Sequence, residues 1–159
     1  MGPNRYKRMR KQLQRRVGWG QLALLGILVV SFINQLMLWM GIEYHFLFSA
    51  AMPYYLNWVA RQLSSGGFSV VATVLTLALY CAYGLCLLRS YEPRWFWAGM
   101  VLYALDTVLL IIFALALLAN PMSCLLELLV HGLALAVLMQ SWSARIRLRQ
   151  MPPRVPEAH

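Results

Sequence analysis

The sequence predicts an all-α integral membrane protein, a four-helix bundle with a short interfacial helix between the first and second transmembrane helices. Three observations predict this fold. Of the 159 residues, 61% are apolar, and the mean hydropathy is +0.61, which is more than the core of a soluble domain of this size requires. Four apolar stretches approach the length of about 20 residues that crosses a bilayer. The basic residues are concentrated at the two ends of the chain.

This pattern divides the chain into three parts. Residues 1–17 form a basic cytoplasmic segment, residues 18–140 the transmembrane domain, and residues 141–159 a basic, Pro-containing cytoplasmic tail. Within the domain, spans are expected at about 18–40, 68–88, 95–118 and 122–140. Asn120-Pro121 is a turn signal, so the last two spans are predicted to form an antiparallel hairpin.

The basic residues also predict the orientation of the chain. Seven of the 14 Lys and Arg residues precede the first apolar stretch, and four follow the last one. Arg89 and Arg94 lie between the second and third spans, which leaves Arg61 alone in the longest connection. The positive-inside rule therefore places both termini in the cytoplasm, with the chain in a bacterial-type plasma (inner) membrane. These basic segments are expected to contact anionic membrane lipid and no nucleic acid, because they do not surround a folded soluble domain.

The connection of residues 41–67 is rich in Tyr and Trp, which favour the membrane interface. From Pro53 onward, Leu56, Val59 and Leu63 recur on one face of a helix. We therefore expect a short helix on the outer leaflet. It would serve either as an aromatic anchor or as a lid over a site beneath it.

Three ionisable residues, Asp106, Glu127 and His131, lie inside predicted spans. Such residues are costly in a membrane, usually face the bundle interior and are often functional. Glu127 and His131 are four positions apart, so they project from one helical face. At about 1.5 Å per residue, Asp106 lies roughly 18 Å, His131 roughly 13 Å and Glu127 roughly 7 Å below the outer ends of their spans.

Further polar residues share this outer half of the predicted bundle. Asn34, on the first span, lies about 9 Å below its outer end. Glu43 and His45 follow that span and are placed at the outer mouth. Together with the three intramembrane ionisable residues, they outline a polar cleft that opens toward the outside, in which they would bind a ligand or protons.

Three interpretations of this polar group remain open. Acids and histidines between helices commonly relay protons. Asp106, Glu127 and His131 could instead hold Zn²⁺, Mn²⁺ or Fe²⁺, whose bound water could attack a lipid-borne substrate. Alternatively, they pair with one another only to hold the helices together. The sequence contains no His-Glu-x-x-His, Cys-x-x-Cys or Gly-x-Ser-x-Gly motif that would favour an enzyme, and it identifies no cofactor.

The leading functional hypothesis is a small polytopic membrane protein that binds or translocates a small solute or ion through the outward-facing cleft. Because four helices barely enclose a pathway, a homo-oligomer or a partner membrane subunit is expected. The alternatives are an intramembrane enzyme, metal-dependent or acid/base, acting on a lipid or lipid-linked substrate, and an accessory subunit of a larger membrane complex. In architecture alone the chain resembles the small multidrug-resistance exporters. Their essential glutamate lies in the first helix, where this chain has Asn34 and Gln35, so no residue role is carried over.

Overall fold

The computed structural model describes residues 3–42, 44–63, 66–117 and 121–152. Over these residues the chain is all-α, with helices α1 (Pro3–Trp39), α2 (Ala51–Gln62), α3 (Gly66–Leu88), α4 (Pro93–Leu117) and α5 (Pro121–Gln150). In this part of the chain, four helices, α1, α3, α4 and α5, are long and apolar enough to cross a membrane. The prediction of four long apolar helices is therefore confirmed.

The helices at the two ends of the chain are longer than the apolar stretches that predict them. α1 begins at Pro3 and α5 ends at Gln150, so most of each basic segment is helical and continuous with the apolar part. The connection between α3 and α4 is short and is closed by backbone hydrogen bonds, including one from the Glu92 amide to the Arg89 carbonyl at 2.9 Å. The turn predicted at Asn120-Pro121 falls in part outside the described residues.

α5 packs most extensively against α1. The Ser141 hydroxyl donates a hydrogen bond to the Val17 carbonyl at 3.3 Å, and the Tyr6 hydroxyl donates to the Pro152 carbonyl at 2.8 Å. These bonds join the beginning of the first helix to the end of the last. Both ends of the described chain therefore lie at one end of the bundle.

The α3–α4 connection lies at this same end. The Arg145 guanidinium, which is buried, donates to the Ser90 carbonyl at 2.5 Å and lies 4.2 Å from the ring centroid of Phe96. We call this the basic end, defined by residues 3–17, 89–94 and 141–152. The end that carries the α1–α2 connection is the far end.

The apolar core lies between the four long helices. Its fully buried members come from all four: Leu24 and Ile27 of α1, Tyr83 of α3, Phe96 and Tyr103 of α4, and Ala134 and Leu138 of α5. Much of the remaining apolar surface faces outward on helices that are long and apolar enough to cross a membrane.

Residues 44–62, which we call the re-entrant segment, fold back into the bundle from the far end. Phe48 contacts α1 at Gly26, where an added Cβ would lie 2.9 Å from the Phe48 ring. Gly26 lies about 20 Å along α1 from the end of that helix at Trp39, so the segment reaches deep into the bundle. Since it enters and leaves at the same end, it does not cross the bundle.

α2 is the returning half of the re-entrant segment and runs antiparallel to the first half of α3. The Asn57 amide donates to the Thr76 hydroxyl at 2.6 Å, and the Ser69 hydroxyl donates to the Ala60 carbonyl at 3.4 Å. The Arg61 guanidinium then donates to the carbonyl of Leu38, near the end of α1. A helix is thus present between the first two spans, but these contacts place it beside α1 and α3, and the predicted interfacial position is not confirmed.

Candidate functional site beneath the re-entrant segment

The first backbone amides of α2 donate hydrogen bonds to a carboxylate from the middle of α4. Asp106 Oδ2 accepts a hydrogen bond from the Ala51 amide at 2.8 Å, and Oδ1 accepts one from the Met52 amide at 2.9 Å. A helix N-terminus carries a partial positive charge, so it favours an anion at this position. Asp106 therefore caps a helix that is distant from it in sequence.

The chain around the start of α2 explains why a remote cap is needed. The first four N–H positions of a helix have no partner within the helix. The residue before α2 is Ala50, which has no side-chain oxygen, and its amide donates instead to the Ser31 hydroxyl at 2.7 Å. Pro53 has no N–H to satisfy. Asp106 and Ser31 together account for every donor in this first turn.

Asp106 also faces a histidine on α5. Its Oδ2 lies 3.4 Å from Nε2 of His131, and both side chains are buried. The His131 ring stacks on Tyr103 with 5.1 Å between centroids and 5° between planes. Its Nδ1 lies 2.9 Å from the backbone carbonyl of Glu127, which fixes the ring from the other side.

These contacts define where a proton must lie. The Glu127 carbonyl can only accept, so His131 Nδ1 carries a hydrogen. A neutral ring would then turn the lone pair of Nε2 toward the oxygen of Asp106, which is repulsive. The close approach of Nε2 and Oδ2 is favourable only when a proton lies between them. Asp106 and His131 thus form a buried acid–histidine pair, which is an ion pair when His131 is protonated.

A second acid and histidine lie closer to the far end. The Tyr55 hydroxyl donates to Glu127 Oε2 at 2.9 Å, and Glu127 Oε1 lies 3.6 Å from Nε2 of His45. Glu127 is 2% exposed, whereas His45 is 23% exposed and its ring lies 4.7 Å from that of Tyr54. Within the described part of the chain, Glu127 Oε1 and the Nε2 atoms of both histidines make no hydrogen bond. The two pairs therefore retain polar atoms that could bind a ligand.

Asn34 has a different role, because its side chain is fully used. Its Oδ1 accepts from the Phe46 amide at 2.8 Å, and its Nδ2 donates to the Phe46 carbonyl at 2.8 Å and to the Ser49 hydroxyl at 2.9 Å. These bonds satisfy non-helical backbone of the re-entrant segment. Asn34 is therefore a buried residue that holds this segment against α1, and we call it a clamp in that sense.

The structure thus brings Asp106, Glu127, His131 and His45 together and places Asn34 beside the segment that covers them. Glu43, the remaining predicted residue, lies outside the described residues. Of the five that are described, His45 has solvent-exposed surface, while the others are buried beneath the re-entrant segment. The site in this conformation is closed.

Sequence reasoning missed several contributors to this site. Tyr55 donates to Glu127, and Ser31 accepts from the Ala50 amide of the re-entrant segment. The two donors to Asp106 are backbone amides at the start of α2. One signal was available, because Ser31, Asn34 and Gln35 are spaced as one face of a helix in a span without formal charge. The two backbone amides could not be predicted, because every residue except proline has an N–H group whatever its side chain.

The predicted metal ligands Asp106, Glu127 and His131 face different partners in the described residues. In the described ranges, no group of three His, Cys, Asp or Glu side chains is arranged to hold one. The carboxylate of Glu127 faces Tyr55 and His45, whereas His131 faces Asp106. The candidate ligands therefore form two separate pairs.

The fold and the site define an all-α protein with four helices suited to cross a membrane and a closed polar centre between them. Comparison with protein-family models, with curated proteins and with solved structures finds no match.

Proposed function

We propose that this chain is a membrane protein that binds or translocates a small solute or ion, with proton uptake at the Asp106–His131 and Glu127–His45 pairs. One observation carries the proposal. Both acids hold the re-entrant segment, Asp106 through the amides of α2 and Glu127 through Tyr55, and both also face a histidine. A proton or cation that neutralises either acid therefore competes with the re-entrant segment for the same oxygens.

This competition couples ligand binding to a conformational change. While Asp106 is ionised, its charge favours the N-terminus of α2. When a proton or a cation neutralises that charge, the bonds from Ala51 and Met52 weaken and the segment is released toward the far end. Release opens the pairs to solvent, so the ligand shifts the equilibrium by its preference for the open state.

The proposed topology follows the distribution of charge. The positive-inside rule places the basic end in the cytoplasm and the far end outside, with the four long helices as spans of the plasma membrane. The re-entrant segment then enters from the outer side. Irregular backbone at membrane depth is tolerated where protein satisfies it, and Asn34, Ser31 and Asp106 do so here. Membrane lipid and a second copy or partner subunit would complete the walls of the pathway.

The test is proton or cation flux into liposomes that contain the purified full chain and a trapped indicator for pH, Na⁺ or K⁺. We expect wild-type protein to carry a measurable flux down a pH gradient, and Asp106→Asn and Glu127→Gln to reduce it about tenfold or more, as expected for loss of a proton-carrying group. Glu92→Gln is the matched control, since Glu92 is an acid at the basic end that pairs with Arg94. It should leave the flux unchanged.

Glu127→Gln also separates function from stability. Its amide oxygen can still accept from Tyr55, so the variant should unfold at nearly the wild-type temperature while the flux falls. Wild-type liposomes without flux of protons, Na⁺ or K⁺ would contradict the proposal. So would a Glu127→Gln protein with normal flux.

A further inference from the structure

An open groove of about 180 Å³ lies between α1 and α5 at the basic end. It is lined by Leu13, Arg16, Met139, Gln140, Ser143, Ala144 and Arg147. This groove is separate from the polar pairs, and its properties are independent of the function proposed for them.

The groove has a positive charge that nothing in the described chain neutralises. Arg16 on α1 and Arg147 on α5 line it from two helices, and neither forms an ion pair within the described residues. The acids of that part of the chain are Glu92, which pairs with Arg94, and the two acids of the central site. Two guanidinium groups beside one concave surface attract an anion.

The remaining lining indicates which kind of anion. Gln140 and Ser143 line the groove with side-chain hydrogen-bond donors. Leu13 and Ala144 are buried and make an apolar floor, while Met139 is 60% exposed at the rim. Guanidinium groups bind phosphate oxygens with paired N–H donors, and basic pockets between membrane helices bind lipid headgroups.

We infer that this groove binds one phosphate-bearing anion, with Arg16 and Arg147 contacting the phosphate and Ser143 donating a hydrogen bond to it. The shared chemistry is a phosphate group, which a lipid headgroup or free inorganic phosphate could supply. The apolar floor and rim favour the lipid, because they would contact its glycerol and the start of its acyl chains.

The inference is tested by native mass spectrometry of the full chain in detergent, titrated with dioleoyl phosphatidylglycerol and, separately, with dioleoyl phosphatidylcholine. Wild-type protein should retain one phosphatidylglycerol per chain under conditions that remove phosphatidylcholine. The Arg16→Gln/Arg147→Gln protein should bind it roughly 30-fold more weakly, because each basic residue contributes about 1 kcal/mol to binding of an anionic lipid. Arg10→Gln/Arg149→Gln removes the same charge from the same helices outside the groove, and should retain the lipid.

Two further arms complete the test. Ser143→Phe fills the groove while keeping both arginines, so it should also lose the lipid, and it replaces the double variant if that protein does not fold. Inorganic phosphate that raises the melting temperature of wild type, but not of Arg16→Gln/Arg147→Gln, would support the site with free phosphate as its ligand. If neither phosphatidylglycerol nor phosphate distinguishes the groove variants from Arg10→Gln/Arg149→Gln, the site is overturned.

Discussion

Asn34 and His131 are both buried polar residues of apolar helices, but their hydrogen bonds assign them different roles. Asn34 uses both the oxygen and the nitrogen of its amide on the re-entrant segment. His131 Nε2 makes no hydrogen bond within the described residues and lies 3.4 Å from Asp106 Oδ2. A buried side chain whose donors and acceptors are all hydrogen-bonded within the protein stabilises the fold. A buried side chain with an unpaired polar atom can also bind a ligand.

Replacing Asn34 with Ala should therefore affect stability locally. The change leaves the half-buried Phe46 amide without its acceptor and removes one of two donors to the Phe46 carbonyl, which keeps the Ser49 hydroxyl at 3.1 Å, at a cost of about 1 to 3 kcal/mol. Hydrogen exchange should accelerate in residues 44–52, while the basic ends of α1 and α5 keep their protection. Gln14→Ala, an exposed change on the same helix, should leave exchange unaltered. Uniform loss of protection over the whole chain would contradict a local clamp.

Among the elements, α1 and α5 are in close contact at Gly20. An added Cβ there would overlap the Ser141 hydroxyl and lie 2.9 Å from the Phe96 ring. Gly18, two positions earlier on the same helix, has no atom within 4 Å of its Cβ position. Small residues allow helices in membranes to pack closely, so this crossing depends on one particular glycine.

Gly20→Ala and Gly18→Ala should consequently have opposite effects. Gly20→Ala forces the two helices apart and should cost about 1 to 3 kcal/mol. Gly18→Ala should be neutral or stabilising by up to roughly 1 kcal/mol, because Ala favours the helix. Thermal unfolding in detergent distinguishes them. Equal melting temperatures for the two variants would mean that the helices do not cross at Gly20.

The sequence predicts the long helices well and the re-entrant segment poorly, for a physical reason. Hydropathy over about 20 residues is a local property, and it identifies α1, α3, α4 and α5. The half-apolar pattern of α2 is the same for a helix on the membrane surface and for one that packs beside α3. Likewise, the spacing of Glu127 and His131 indicates one helical face, but their partners, Tyr55 and Asp106, come from other elements.

For the whole molecule, the contacts between α1 and α5 and the position of Ser90 place most of the positive charge at one end. If that end is cytoplasmic, as proposed, the far end must be accessible from outside. The bundle is then polarised, with a basic surface inside and the covered acid–histidine pairs in its outer half.

Cysteine labelling in intact bacterial cells tests this polarity. In a chain with Cys81, Cys86 and Cys124 replaced by Ala, a cysteine at exposed Leu63 should react with a membrane-impermeant maleimide. Cysteines at Arg8 and Arg149, both exposed at the basic end, should react only after the membrane is permeabilised. Labelling at the Arg8 and Arg149 positions in intact cells would reverse the proposed orientation.

The link between Asp106 and α2 also constrains the order in which the protein is made. The ribosome completes residues 44–62 before α3, and it completes α3 before the carboxylate that caps α2 exists. Until α4 has been synthesised, the Ala51 and Met52 amides have no acceptor from Asp106, so the nascent segment cannot take its final place. If the long helices span the membrane as proposed, the segment would stay at the membrane interface until then, since Tyr and Trp favour that region. Closure of the re-entrant segment over the polar centre is therefore a late event of biogenesis, because it depends on a residue of the third long helix.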